Sequence, residues 1–206
     1  MTTLRIELLG GFSLRLDNNP ITLKTRKAES ALAYLAWGER PFSREELAAF
    51  FWPQSEPSQA AANLRKLLSE LRRDLAPYLL IDRQSVALDP AADVWLDVTE
   101  FSQLAAEDDP DALATAVSLY HGDFLAGFYL RDSYHFDEWA TLERERHQQV
   151  ILGVLRQLAS HHFHQGTYEE ALPYMSRWLA LNPLAATAHR LALRLHARRG
   201  QCSLAL

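Results

Sequence analysis

The chain has 206 residues, 48% of them hydrophobic and 23% charged, with eight Gly and nine Pro; this balance excludes a disordered, collagenous or coiled-coil protein and fits one or two globular domains. Its one cysteine, Cys202, excludes an internal disulfide and a cysteine-built metal site, no apolar run approaches the roughly 20 residues of a membrane helix, and Met1-Thr2-Thr3-Leu4-Arg5 lacks the order of a secretory leader, so a cytoplasmic protein is expected. The net charge of −5 argues at first sight against nucleic acid, but residues 1–96 carry twelve basic and twelve acidic side chains whereas residues 97–206 carry nine and fourteen, so the deficit belongs to the second part.

In chain order, Leu4–Leu9 and Phe12–Leu16 alternate in polarity across Gly10-Gly11, the turn signal Asp17-Asn18-Asn19-Pro20 follows, and Ile21-Thr22-Leu23 is a third short apolar run. Together they predict a small antiparallel sheet with one wet face. The period then changes: Ala28, Ala31, Leu32 and Leu35 lie on one helix face, closed by Gly38 and Pro41. Ser43-Arg44-Glu45-Glu46 is a capping box that starts a second helix, which Trp52-Pro53 ends. After the loop Pro53–Pro57, a longer helix is expected from Ser58 to Leu75, with Ala60, Ala61, Leu64, Leu67, Leu68, Leu71 and Leu75 as its apolar face. Leu79-Leu80-Ile81 and Val86-Ala87-Leu88 then flank a turn with Arg83 at its tip.

Sheet, three helices and hairpin make a winged helix-turn-helix, in which the helix after the loop enters the major groove. At about 100° per residue, Arg65, Lys66, Ser69 and Arg73 project away from the apolar stripe, and Arg72 borders it. Arg65 and Arg72 are about 10 Å apart along the axis. Such a face suits Arg and Lys contacts to phosphates, with Asn63 or an Arg for bidentate contacts to bases. Lys24, Arg26 and Lys27 cluster before the first helix, and Arg83 adds a charge at the wing.

In the second part, Val94–Val98 reads as a link, and Asp97 and Glu100 as caps for a helix starting near Thr99. Pro110 suits the first turn of the next helix. The acidic run Glu107–Asp111 lacks the ligand spacing of a calcium loop. A long helix is expected from Trp139 to Gln165, with Ile151, Val154, Leu155 and Leu158 on one face. Gly166, Ala171 and Leu172 recur as Gly200, Ala205 and Leu206 at an interval of 34, the tetratricopeptide period. Thr167 and Glu170 form a capping box, and Asn182-Pro183 caps and starts the next helix. That repeat is incomplete, since the chain stops six residues after Gly200; repeats need neighbours to bury their faces, so a longer protein or a capping subunit is expected.

No phosphate loop, nucleophile elbow or His-Glu-x-x-His stands in the sequence, so neither an enzyme nor a cofactor is expected. His161, His162 and His164 fan over too wide an arc to form a metal site. Cys202 takes the place of Tyr168 one repeat later, which reads as packing, and Trp52, Trp95, Trp139 and Trp178 read as core or inter-domain anchors.

These residues carry a family resemblance. The chain resembles the bacterial transcriptional activator domain family, typified by the antibiotic regulatory activators of actinomycetes. Leu8-Leu9-Gly10-Gly11-Phe12, Lys27–Leu35, Phe51-Trp52-Pro53 and Asn63–Arg73 resemble its OmpR-type winged helix; Tyr120–Gly127 and Trp139–Arg146 resemble its helical activator domain. The resemblance implies a mainly α fold with a small β component, a winged-helix DNA-binding domain over residues 1–96, and an all-α tetratricopeptide-like domain over residues 97–206. It also implies a regulator that binds double-stranded promoter DNA, often at direct repeats where a homodimer would sit, and contacts RNA polymerase, with Gln54, Ser55 and Glu56 facing the polymerase. Some members are larger and continue into an ATPase and further repeats. The neutral first part departs from the pattern, and implies modest DNA affinity without dimerisation. The competing expectation, resting on that neutrality and on the acidic repeat region, is a protein-interaction scaffold whose winged helix no longer reads DNA.

Overall fold

The computed structural model describes residues 2–38 and 40–198. The fold is mainly α with a small β component, a winged helix-turn-helix followed by an all-α, tetratricopeptide-like region. It forms two compact units: Met1–Glu100 with His121–Glu145, and Phe101–Tyr120 with the described part of Arg146–Leu206.

The first unit opens with β1 (Leu4–Glu7), β2 (Ser13–Leu16) and β3 (Asn19–Pro20). Alternation buries Leu4, Ile6 and Leu14 on one face. The third strand is Asn19–Pro20 and not the expected Ile21–Leu23. Asp17 and Asn18 both take positive φ (47° and 68°), the signature of a two-residue type I′ hairpin, so pairing resumes at once with Leu16 opposite Asn19. The expected link at Val94 also proves to be structure: β7 (Val94–Leu96) pairs in parallel with β1 and gives the sheet order β3-β2-β1-β7.

Helix α1 (Arg26–Gly38) buries the expected Ala28, Ala31, Leu32 and Leu35. After the short strand β4 (Phe42–Ser43) comes α2 (Arg44–Phe51). Only half of the expected capping box forms. Ser43 Oγ accepts from the Glu46 N–H at 3.0 Å, but the Glu46 carboxylate is taken by Arg40. Helix α3 (Pro57–Leu75) starts one residue before Ser58, because proline fits the first helical position, where no N–H partner is needed. Its buried face is Ala60, Leu64, Leu67, Leu68, Leu71 and Leu75; Ala61, expected there, is exposed. A 3-10 turn (Ala76–Tyr78) leads into β5 (Leu79–Ile81) and β6 (Ser85–Leu88), which join β4 in the order β4-β6-β5. This hairpin is the wing.

The remaining helices are α4 (Asp97–Ala105), α5 (Pro110–Leu119), α6 (Tyr134–Gln165), α7 (Tyr168–Leu181) and α8 (Ala186–Arg198). The first unit takes in residues 121–145 for a physical reason: they supply part of its aromatic core. Tyr34 of α1 stacks on Phe50 at 4.2 Å between ring centroids and meets Trp139 edge-on at 5.1 Å. Trp139 in turn packs against Phe124 and Phe136. Hence α6 begins at Tyr134 and not at the expected Trp139. Arg144 donates to the carbonyls of Phe124 (2.9 Å), Leu125 (3.1 Å) and Phe128 (3.0 Å), and so holds a loop in which Leu125 is buried with φ of 48°.

Asp97 is not the expected helix cap near Thr99. It begins α4, and its buried carboxylate accepts from the Leu8 N–H (2.9 and 2.8 Å) and the Leu9 N–H (2.8 Å). Burial pushes its pKa up to about 6, against the N–H groups of Leu9, Leu8 and Val98 that favour the anion; the charge of Glu7 adds to the rise.

In the second unit, Asp109 caps α5 by accepting from the Ala112 N–H at 3.0 Å, with Pro110 in the first turn as expected. Ile151, Val154, Leu155 and Leu158 are buried as predicted. Ala159, Ala171, Met175 and Leu195 form one core cluster, and Arg177 donates to the carbonyls of Val117 (2.9 Å) and Tyr120. Two capping expectations fail. Thr167 Oγ1 bonds His162 (2.9 Å to Nδ1) instead of the N–H groups of α7, because Gly166, at φ of 79°, turns the chain back over the end of α6. Asn182 closes α7, and α8 starts at Ala186, so Asn182-Pro183 precedes the helix instead of starting it. Gly200, Cys202, Ala205 and Leu206 lie outside the described residues. Trp139 and Trp178 are buried, Trp52 and Trp95 half-buried.

Candidate nucleic-acid interface

The outer face of α3 carries Arg65, Lys66, Ser69, Arg72 and Arg73, all exposed, and Asn63, half-buried. The buried leucines on the opposite face fix that orientation. The side chains are not equivalent. Arg65 makes one long contact, Nε to the Ala61 carbonyl at 3.4 Å, and Lys66 has no hydrogen-bond or ion-pair partner among the described residues, so both heads are available to an anion. Arg73 grips its neighbour Asp74 (2.9 and 3.0 Å), which raises the Arg73 pKa and lowers that of Asp74. The pair is exposed, so a phosphate competes with it readily. Arg72 donates to the Ile81 carbonyl at 2.8 Å, tying the helix to the first strand of the wing.

The wing turn is built by Asp82. Its carboxylate accepts from the N–H groups of Ser85 (2.6 Å) and Gln84 (2.7 Å) and from the Ser85 hydroxyl (3.0 Å), contacts that hold it below the usual carboxylate range. Arg83 is left exposed at the tip.

Of the three cations before α1, Lys24 is exposed and has no hydrogen-bond or ion-pair partner among the described residues. Arg26 is exposed, its guanidinium 5.1 Å from the Phe128 ring. Lys27 turns inward: its ammonium donates to the Phe51 carbonyl (3.1 Å) and lies 4.8 Å from the Trp52 ring. Burial lowers its pKa, opposed by Asp132. Gln54 and Glu56 of the α2–α3 loop are exposed, and Ser55 is half-buried with its N–H on the Trp52 carbonyl (3.1 Å). Beside the loop runs a groove of about 500 Å³ between α2 and α3, bounded by Ala48, Trp52, Ser55, Ala61 and Arg65.

Two residues escaped the sequence reading. Gln59 donates to Asn63 Oδ1 at 3.0 Å, pairing two amides near the start of α3; their i,i+4 spacing was the available signal. Arg44 opens α2, and its N–H bonds the Gln84 carbonyl of the wing turn at 2.9 Å. No local pattern announces that pairing, since it is made by the fold. Among the described residues no cluster of His, Cys, Asp or Glu could hold a metal ion, and no helix is long and apolar enough to cross a membrane.

The family model described as the bacterial transcriptional activator domain matches residues 96–206, more than half of the chain. The chain belongs to the bacterial transcriptional activator domain family. Regulatory protein AfsR of Streptomyces coelicolor is 26% identical over 216 aligned residues, covering 98% of this chain and 21% of AfsR. The chain thus spans about a fifth of the length of that curated relative. Mycobacterium tuberculosis EmbR, solved in complex with a low-affinity phosphopeptide, shares the fold: TM-score 0.74 at 20% identity, over all of this chain and 57% of EmbR.

Proposed function

We propose that the chain is a transcriptional activator that binds double-stranded promoter DNA through α3 and the wing. The observation that carries this is the exposed row Arg65, Lys66, Ser69 and Arg73 on a helix whose other face is locked into the core, with Arg72 joining it to the wing. An α-helix of this kind fits the major groove; in this reading the cations contact phosphates, and the amides of Gln59 and Asn63 read adenine. Lys24 and Arg83 extend the phosphate contacts to either side, with Arg26 beside Lys24. Residues 1–96 carry this reading role and residues 97–206 the activator role. Gln54, Ser55 and Glu56, beside the groove between α2 and α3, face RNA polymerase, and two copies occupy direct repeats as a homodimer. The test is a selection of bound fragments from random duplexes, followed by gel shifts of Arg65→Ala with Arg73→Ala on the selected sequence. Sharply weakened binding is the expected result; unchanged binding removes α3 as the reader.

The inward turn of Lys27 and the Arg73–Asp74 pair favour a second reading, an interaction scaffold with a silent winged helix. Saturable binding of a protein partner, with no salt-dependent DNA binding at any sequence, would decide for it.

A further inference from the structure

We propose that the groove between α6 and α8 in the second unit binds an extended acidic peptide segment of a partner protein. The groove encloses about 420 Å³. Arg156 and His164 of α6 and Arg190 and Arg194 of α8 line it, over an apolar floor that includes Phe163 and Trp178, and no carboxylate lines it. All four basic side chains are exposed, and among the described residues none of the three guanidinium groups makes an ion pair or a hydrogen bond. Helix α8 holds three Arg and no Asp or Glu, although residues 97–206 are acidic as a whole. The groove is therefore a local concentration of unpaired positive charge in an otherwise acidic region.

Spacing selects the ligand. Arg190 and Arg194 stand one above the other on α8, about 6 Å apart along its axis. Same-face side chains of an extended peptide repeat at about 6.8 Å. An acidic-x-acidic segment therefore sets one carboxylate on each guanidinium, in the planar bidentate geometry that arginine favours. The residue between the acids points to the peptide's other face, toward the α6 wall, where an apolar side chain meets Phe163. A single phosphate would want arginines converging on one point, whereas these are spread over two helices. A stacked helical array presents a concave binding surface of this kind. This proposal stands apart from the DNA reading, because none of its residues lies on α3 or the wing.

The full 206-residue chain is titrated at low salt, by fluorescence anisotropy, against a dye-labelled peptide alternating Glu and Leu, its Gln/Leu counterpart, and a Gln/Leu peptide with one phosphoserine. The Glu/Leu peptide is expected to bind at least about tenfold more tightly than either of the others and to weaken as salt rises. Arg190→Ala with Arg194→Ala should remove that preference while circular dichroism shows the fold retained; Arg190→Lys with Arg194→Lys, which keeps both charges, should restore part of it. Equal binding of the Glu and Gln peptides, tighter binding of the phosphoserine peptide, or an undiminished preference in the folded Ala variant would each overturn the proposal.

Discussion

Asp97 offers the sharpest test of the first unit's packing. Its carboxylate is almost fully buried at 2% exposure and serves two backbone donors of the Leu8-Leu9 segment. Asp97→Ala leaves both N–H groups buried without an acceptor, at about 1–3 kcal/mol each, or about 2–6 kcal/mol together. That is a large share of the roughly 5–15 kcal/mol that holds a domain folded. Asp97→Asn keeps one oxygen where Oδ2 accepts from both donors, but turns an amide N–H₂ toward the Leu8 N–H, so it should cost only about 1–3 kcal/mol. A pH dependence follows as well. The rise from the ordinary 3.8 to about 6 means that the folded chain holds a proton between these values when the unfolded chain has lost it. Stability from this group is therefore fully present below about pH 4 and is lost as pH rises through 6, by about 3 kcal/mol in all. His147 works in the opposite direction: burial, then Arg146, lowers its pKa to about 4, so its neutral form favours the fold above 6.5 and that contribution is lost as pH falls through 4. The two nearly cancel in a raw profile. The readout is thus the difference between wild type and Asp97→Asn in urea unfolding at pH 4 and pH 7. The wild type should gain about 3 kcal/mol on the variant at the lower pH. A gap that stays constant, or an Ala variant as stable as the wild type, would refute the assignment.

Arg144→Ala removes a donor from three carbonyls, of which that of Leu125 keeps the Phe128 N–H, and should lower stability by about 2 kcal/mol in urea unfolding, with Arg144→Lys recovering only part, because an ammonium cannot span the fork. Gly10→Ala should cost at least about 2 kcal/mol: Gly10 sits at φ of +110°, and a Cβ there would stand 2.8 Å from His121 Cβ. A chain cut after Leu96 loses Phe124, Phe136 and Trp139 from the aromatic core and Asp97 from the sheet. It should bind a hydrophobic dye and lack a sharp thermal transition, whereas the intact chain shows one.

Much of the fold was legible because local patterns were strong. The helix faces of α1 and α3, the Asp17-Asn18 turn and the wing each follow from hydrophobic period and turn chemistry, and the tertiary packing agreed with them. What the sequence hid was made by distant partners. Val94–Leu96 has no alternation of its own and becomes a strand only because β1 offers an open edge. Asp97 looks like a helix cap, yet its acceptors are claimed by Leu8 and Leu9, far away in the chain. Thr167 and Glu170 have the spacing of a capping box, but His162 competes for the hydroxyl. In the candidate site, helical periodicity put Arg65, Lys66, Ser69 and Arg73 on one exposed face. It could not show that Lys27 turns onto Phe51 and Trp52, or that Arg72 is shared with the wing.

The central claim is that α3 and the wing bind DNA through their exposed cations. Lys24, Arg26, Arg65, Lys66, Arg72, Arg73 and Arg83 are exposed; Arg26 and Arg72 are held by contacts within the fold, whereas the long Arg65 contact and the exposed Arg73–Asp74 pair yield to a phosphate. Five to seven phosphate contacts give a slope of log K against log salt of about −4.5 to −6. Measured on a duplex selected from random sequence, the wild type should show that slope, and Arg65→Ala with Arg73→Ala should flatten it by about 2. A slope near zero, or one that the double substitution leaves untouched, would contradict the account.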